Sequence, residues 1–320
     1  MVSGALRVVF FGTPEFAVPT LEALLRSRHQ VVGVVTQPDR PRGRGQKTSP
    51  SPVKAVAVSA GLPVLQPERL KEPTLLDGLT ALDADLGVVA AYGKILTDAV
   101  LAIPRRGLIN VHASLLPRYR GAAPVHRAII AGERETGVTI MRVVKALDAG
   151  AMMATVHRTI GPDDTSDEVE RDLGRLGAAL LVETTDALAA GSAVETPQDD
   201  AAATYAHRLT KDDGIIDWSR TAEDVHNLVR GLHPWPHAFT FHGNDRFILR
   251  RSSVSTQTSS SGAIAPGTIV EAHGDRLLVA AGQGQLQVLQ IQAEGKRPMS
   301  ARDFLAGHRL SAGDRFGPEP

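Results

Sequence analysis

At 320 residues the chain is long enough for two domains, and a hydrophobic content of 42% supplies a real core. Lys+Arg and Asp+Glu stand at 35 each, so no global field selects nucleic acid, membrane or acidic ligands, and any charge argument has to be local. The lack of cysteine excludes disulfides, thiolate catalysis and Cys-ligated zinc, and it is compatible with a cytoplasmic location; no run is long enough for a signal-peptide core or a membrane span.

In chain order, LRVVFF (6–11) reads as a strand, GTPEF as a turn and AVPTLEALLRS (17–27) as a helix. QVVGVVT (30–36) is a second strand, PVKAVAVSAG (52–61) a short helix and LPVL (62–65) a third strand. DLGVVAAY (85–92) and GLINVH (107–112) are further apolar runs without alternation, the pattern of strands covered on both faces. Strands interleaved with helices predict right-handed crossovers and a doubly wound, mostly parallel sheet, which binds its ligands at the carboxyl ends of its strands. GVTIMRV (137–143) and AMMATVHRTI (151–160) form a later strand pair. Thr165-Ser166-Asp167-Glu168 fits a capping box and opens a long helix to about Ala190, with Leu173, Leu176, Leu180, Leu181 and Leu188 along it. The polar, alanine-rich stretch after 190 predicts a linker. One helix over 221–232 and short alternating runs (AFTFH, RFILR, GTIVEA, RLLVA, LQVLQIQ) then predict a small β-barrel or sandwich, with SSVSTQTSSSG (252–262) as an exposed loop.

The first strand-to-helix turn carries only Gly12 where a dinucleotide fold needs three glycines, which argues against a nicotinamide or flavin enzyme. QPDRPRGRGQKTSPSPVK (37–54) holds Arg40, Arg42, Arg44, Lys47 and Lys54 against Asp39 alone. Its prolines and glycines predict no regular structure, and its cations suit a phosphodiester backbone. His233 and His237 are separated by two prolines, so they cannot share a helix face as metal ligands, and packing of Trp235 is the simpler reading there. Asn110 and His112 differ. They sit two apart at a strand end, so their side chains share a face. An amide that donates without titrating, beside an imidazole, suits a developing oxyanion. A third group is wanted to orient the ring; Asp148 before a glycine turn is a candidate, and Glu133, Glu135 and Asp163 are equally placed by sequence.

Asn110-x-His112-x-Ser114-Leu115-Leu116-Pro117, with Gly121 behind and Leu147-Asp148-Ala149-Gly150 later, resembles the folate-dependent formyltransferase superfamily. FGTPEFA (11–17), PDRPRGRGQKTSPSPVK (38–54), IDWS (216–219), HPWPHA (233–238) and RPMSARDFLAG (297–307) are similar to the branch acting on charged initiator tRNA. The resemblance implies a Rossmann-like catalytic domain over 1–190, a linker over 191–206 and an OB-like tRNA-binding β-barrel over 207–320. It implies 10-formyltetrahydrofolate as donor, methionyl initiator tRNA as acceptor, no metal, no membrane partner and a monomer. By the same likeness Asn110, His112 and Asp148 are catalytic. Ser114, Leu115, Leu116, Pro117, Lys94 and Leu96 lie against the folate. Arg42, then Arg40, Arg44 and Lys47, touch tRNA. Residues 201–320 hold 13 Lys+Arg against 12 Asp+Glu, so any tRNA surface there is a patch, for instance Arg246, Arg250, Arg251, Lys296 and Arg297; Arg118 and Arg120 are read as surface. A formyltransferase for a small amine would share the triad without needing the 37–54 loop. A formyltetrahydrofolate hydrolase, or a non-catalytic RNA-binding relative, are the other readings.

Overall fold

The structure, a computed structural model, describes residues 4–42, 47–256 and 264–317. Residues 1–124, 135–158 and 170–206 form one compact unit, and residues 125–134, 159–169 and 207–320 a second. The chain runs through β1 (Arg7–Gly12), α1 (Val18–Arg26), β2 (Gln30–Val35), β3 (Arg40–Arg42), β4 (Lys47–Ser49), α2 (Pro52–Ser59), β5 (Val64–Leu65) and α3 (Pro73–Ala81). It continues through β6 (Leu86–Ala90), α4 (Asp98–Leu101), β7 (Leu108–His112), β8 (Arg120–Gly121), α5 (Pro124–Ile130), β9 (Glu135–Arg142), β10 (Met152–Thr159) and α6 (Ser166–Ala190).

Seven strands of the first unit order as β10-β9-β7-β6-β1-β2-β5. β5, β2, β1, β6 and β7 pair in parallel, and β9 runs antiparallel to β7. The chain moves outward from β1 to β2 and β5, then returns to β6 on the other side. That reversal opens the crevice in which doubly wound sheets place their sites. β1, β2 and β6 are buried almost end to end, as their apolar runs require, whereas edge strand β10 alternates half-buried and exposed residues. Thr165 and Glu168 form the capping box: the Thr165 N–H donates to Glu168 Oε2 at 2.9 Å, and the Glu168 N–H donates to Thr165 Oγ1 at 3.4 Å. Along α6, Val169, Leu173, Leu181 and Leu188 are buried at helical spacing.

Residues 40–42 and 47–49 depart from the expected irregular loop. β3 and β4 form an antiparallel hairpin, pairing Arg40 with Ser49 and Arg42 with Lys47. Its base is pinned at Asp39, whose carboxylate takes the Lys54 ammonium and a 2.8 Å bond from Gln66. Lys54 therefore serves the fold as an ion-pair partner.

After α6 come β11 (Tyr205–Ala206), α7 (Ala222–Gly231), β12 (Ala238–His242), β13 (Asp245–Val254), β14 (Ile269–His273), β15 (Arg276–Ala280), β16 (Gln285–Ala293), β17 (Met299–Ser300) and α8 (Ala301–Gly307). In the second unit an antiparallel sheet orders as β12-β13-β16-β15-β14, with β17 also on β16. The C-terminal segment links its two edges: Gly317 exchanges hydrogen bonds with Phe241 of β12, and the Ile269 N–H of β14 donates to Asp314. Trp218, Phe247, Phe304 and Phe316 fill the core under it. Ser252–Val254, expected in a loop, are strand because they pair with β16, and Ser252 is buried; residues 257–263 lie outside the described part. Trp235, expected to pack, is 51% exposed, and Trp218 takes the buried position instead. No helix among the described residues is long and apolar enough to cross a membrane.

Candidate active site

The site is built on the end of β7. Val111 faces α6, where Gly177 permits an approach so close that a Cβ there would meet the valine methyl at 2.8 Å. Strand alternation then turns Asn110 and His112 together to the opposite side. The Asn110 backbone is held between Val89 of β6 and Met141 of β9, while its half-buried amide has no hydrogen-bond partner among the described residues. His112 is 6% exposed. Its Nε2 donates to the Tyr119 carbonyl at 3.1 Å, and its Nδ1 faces the Asp148 carboxylate at 3.7 Å. A carbonyl only accepts, so Nε2 carries a proton and Nδ1 is the nitrogen left for chemistry. The 3.7 Å gap exceeds a direct hydrogen bond, so Asp148 acts on the ring by charge and through any polar group between them. Of the other acidic candidates, Glu135 pairs with His157 and Asp163 lies beside His226.

Asp148 has a left-handed backbone, φ +46°, which is uncommon outside glycine and concentrates at functional sites. Three contacts hold it there. Its Oδ2 accepts the Gly121 N–H at 2.8 Å, and the Gln198 Nε2 donates to the carbonyls of Asp148 and Gly150, each at 2.8 Å. Gly150 is required, because a Cβ would lie 1.9 Å from the Arg142 carbonyl oxygen. Gly121, at φ +120°, is equally constrained: a Cβ would lie 2.8 Å from the Ala206 carbonyl oxygen.

The turn after His112 is stitched to β9. Thr139 Oγ1 donates to the Ser114 carbonyl at 2.8 Å and accepts the Leu116 N–H at 3.2 Å. Ser114 Oγ is committed to the Arg118 carbonyl, Leu115 packs over Gly137, and a cis peptide joins Leu116 to Pro117. Lys94 donates to the carbonyls of Pro67 and Glu68, and Leu96 is buried in the apolar cluster around Phe11 and Tyr92, leaving Ile95 between them 81% exposed. Arg40 extends from β3 with Glu68 at 3.7 Å. Arg42 and Lys47 have backbone positions on β3 and β4; their side chains, and Arg44 altogether, lie outside the described residues.

Arg118 is exposed with its guanidinium 5.3 Å from the Tyr119 ring centroid, but Arg120 is 4% exposed, against the expectation of a surface residue. It is drawn in by Gln198 and Asp200. In the second unit, Arg246 pairs with Glu294 and covers the Phe239 ring, and Arg250 bonds His237, whereas Arg251, Lys296 and Arg297 remain exposed. Burial, reinforced by Arg250, lowers the His237 pKa to about 4. Sequence reasoning missed the Tyr119 carbonyl, the Gly121 N–H and Gln198. The first two are backbone groups, and Gln198 is 50 residues from the turn it holds.

The formyl transferase family model matches residues 6–185, and the formyl transferase C-terminal domain model matches residues 208–309. The methionyl-tRNA formyltransferase of Citrifermentans bemidjiense is 49% identical over 312 residues, covering 98% of this chain and 96% of its own length. The Methylococcus capsulatus protein of the same name is 49% identical over 313 residues, covering 98% and 100%. Among solved structures, the sugar 3N-formyl transferase WlaRD, determined with dTDP and 5-N-formyl-THF, has a similar fold. Its TM-score is 0.68 over 91% of this chain and 99% of that one, at 18% identity. HypX from Aquifex aeolicus, in complex with tetrahydrofolic acid, has a TM-score of 0.62 over 97% of this chain and 51% of that one, at 13% identity.

Proposed function

The chain belongs to the formyl transferase family, and from that membership we infer that it transfers the formyl group of 10-formyltetrahydrofolate to the α-amino group of methionyl initiator tRNA, giving N-formylmethionyl-tRNA for translation initiation. The observation that carries the chemistry is the pairing of the Asn110 amide, unpartnered among the described residues, with a buried imidazole, His112, on one strand face opposite Asp148. The neutral amine attacks the formyl carbon, a C–N bond forms and the carbonyl oxygen becomes an oxyanion. Asn110 donates to that oxygen, and His112 donates from Nδ1 once the proton lost by the amine reaches it by way of Asp148. One such donor is worth about 3–4 kcal/mol. Asp148 takes the proton lost by the amine, directly or through water. That same proton passes on to N10 of the folate as the C–N10 bond breaks, so the site returns to its starting charge. Amine, oxyanion donors and a proton carrier suffice, and the scheme needs no metal.

In this reading the Ser114–Pro117 turn and the backbone around Lys94 and Leu96 seat the folate. The β3–β4 hairpin reaches the acceptor arm through Arg42, with Arg40, Arg44 and Lys47 in support. Residues 1–190 are the catalytic domain, and residues 207–320 add tRNA-binding surface. The protein works in the cytoplasm as a monomer. Excising residues 40–47 separates this from action on a small amine: formylation of charged initiator tRNA should fall while the folate KM stays. Unchanged tRNA formylation would contradict the tRNA assignment.

A further inference from the structure

Gln198 and Arg120 have no place in the chemistry above, yet both converge on Asp148. The Gln198 side chain uses its whole hydrogen-bonding capacity. Nε2 donates to the carbonyls of Asp148 and Gly150 at 2.8 Å, while Oε1 accepts from Arg120 Nε at 3.0 Å and Nη2 at 2.8 Å. Arg120 Nη2 also reaches Asp200 at 2.7 Å. Gln198 is fixed in turn, because two residues earlier Thr196 exchanges 2.8 Å backbone bonds with Met152. Arg120 is fixed as well, since β8 pairs in parallel with β11. The residue after Arg120, Gly121, donates its N–H to the Asp148 carboxylate.

We propose that Gln198 and Arg120 are positioning residues that set the Asp148 carboxylate against His112. In this brace Gln198 holds the left-handed backbone of residue 148, and Arg120 holds Gln198 and aims the neighbouring Gly121 N–H. The brace explains why a polar stretch at 196–206 is threaded through the catalytic unit, and it rests on the assignment of Asp148 to the chemistry. A carboxylate 3.7 Å from Nδ1 leaves a gap that a reacting group must fill, so a shift of about 1 Å misplaces the proton acceptor and costs on the order of 100-fold in rate.

The test measures kcat and both KM values on methionyl initiator tRNA and 10-formyltetrahydrofolate for the full chain, Gln198→Leu, Gln198→Glu, Asp148→Asn and the double variants. Gln198→Glu keeps an acceptor for Arg120 but sets a carboxylate against two carbonyl oxygens, so it carries the test if the leucine variant does not fold. Each Gln198 variant should lose roughly 10- to 100-fold in kcat with both KM values within about twofold, and Arg120→Lys should retain more activity than Arg120→Met. Added to Asp148→Asn, the Gln198 changes should cost nothing further, because they act through a carboxylate already removed. Undiminished kcat in the Gln198→Glu variant, or an equal loss on top of Asp148→Asn, overturns the brace. Full activity in Asp148→Asn itself would instead remove the role given to Asp148, and the brace with it.

Discussion

At the scale of single residues, two donors, Asn110 and His112, do different work. Asn110 is half-buried with an amide that has no hydrogen-bond partner among the described residues, so Asn110→Ala should leave the unfolding midpoint where it is. Its kcat should fall by about 100- to 1,000-fold, the usual cost of an oxyanion donor. A drop confined to KM would show that the amide binds substrate without favouring the transition state. His112→Ala should be as damaging to kcat and should also lower stability, since the ring is buried and tied to Tyr119. The Asn110–His112 pair was legible because a strand period of two projects i and i+2 together. Asp148 was not legible from the residues alone: spacing left it level with Glu133, Glu135 and Asp163, and the family likeness singled it out. What holds Asp148 was invisible, because a backbone N–H and an amide from a distant polar stretch leave no periodic trace.

At the scale of elements, the long helix α6 and the hairpin β3–β4 make contrasting cases. α6 announced itself through its cap and its apolar stripe, and the Thr165 N–H and hydroxyl both bond the Glu168 carboxylate. Thr165→Ala should therefore destabilise the fold by about 1 kcal/mol without altering kcat, measured by urea unfolding; an unchanged midpoint would mean the cap carries no net stability. For the hairpin, local glycine and proline content predicts irregularity, while Asp39, Lys54 and Gln66, which lie outside its two strands, fix its base. Arg42→Ala should raise KM for tRNA and flatten the salt dependence of that KM, as expected when one phosphate contact is lost. A change in folate KM instead would move Arg42 to the other substrate. Buried strands β1, β2, β6 and β7 were readable as apolar runs, whereas the two-residue strands β8 and β11 are too short to leave a pattern.

At the scale of the whole molecule, acid stability follows from buried histidines. Burial, with Arg127 nearby, lowers the His126 pKa to about 4, and burial also lowers His29, His233 and His237. An unfolded chain protonates these rings below pH ~6.5, while the folded His126 and His237 stay neutral down to about 4. Between those values the unfolded state binds more protons, so stability falls as the pH is lowered, by on the order of 3 kcal/mol for His126 alone. Urea unfolding at several pH values between 7.5 and 4 should show this slope, and His126→Gln should flatten it; identical slopes would assign the acid sensitivity to other groups. The most direct measurement incubates the protein with 10-formyltetrahydrofolate and methionyl initiator tRNA, following both N-formylmethionyl-tRNA and free formate. The wild-type chain should give formylated tRNA, His112→Ala almost none, and little formate should appear when tRNA is omitted. Formate release without acceptor, or transfer undiminished in the His112 variant, would contradict the proposed transfer.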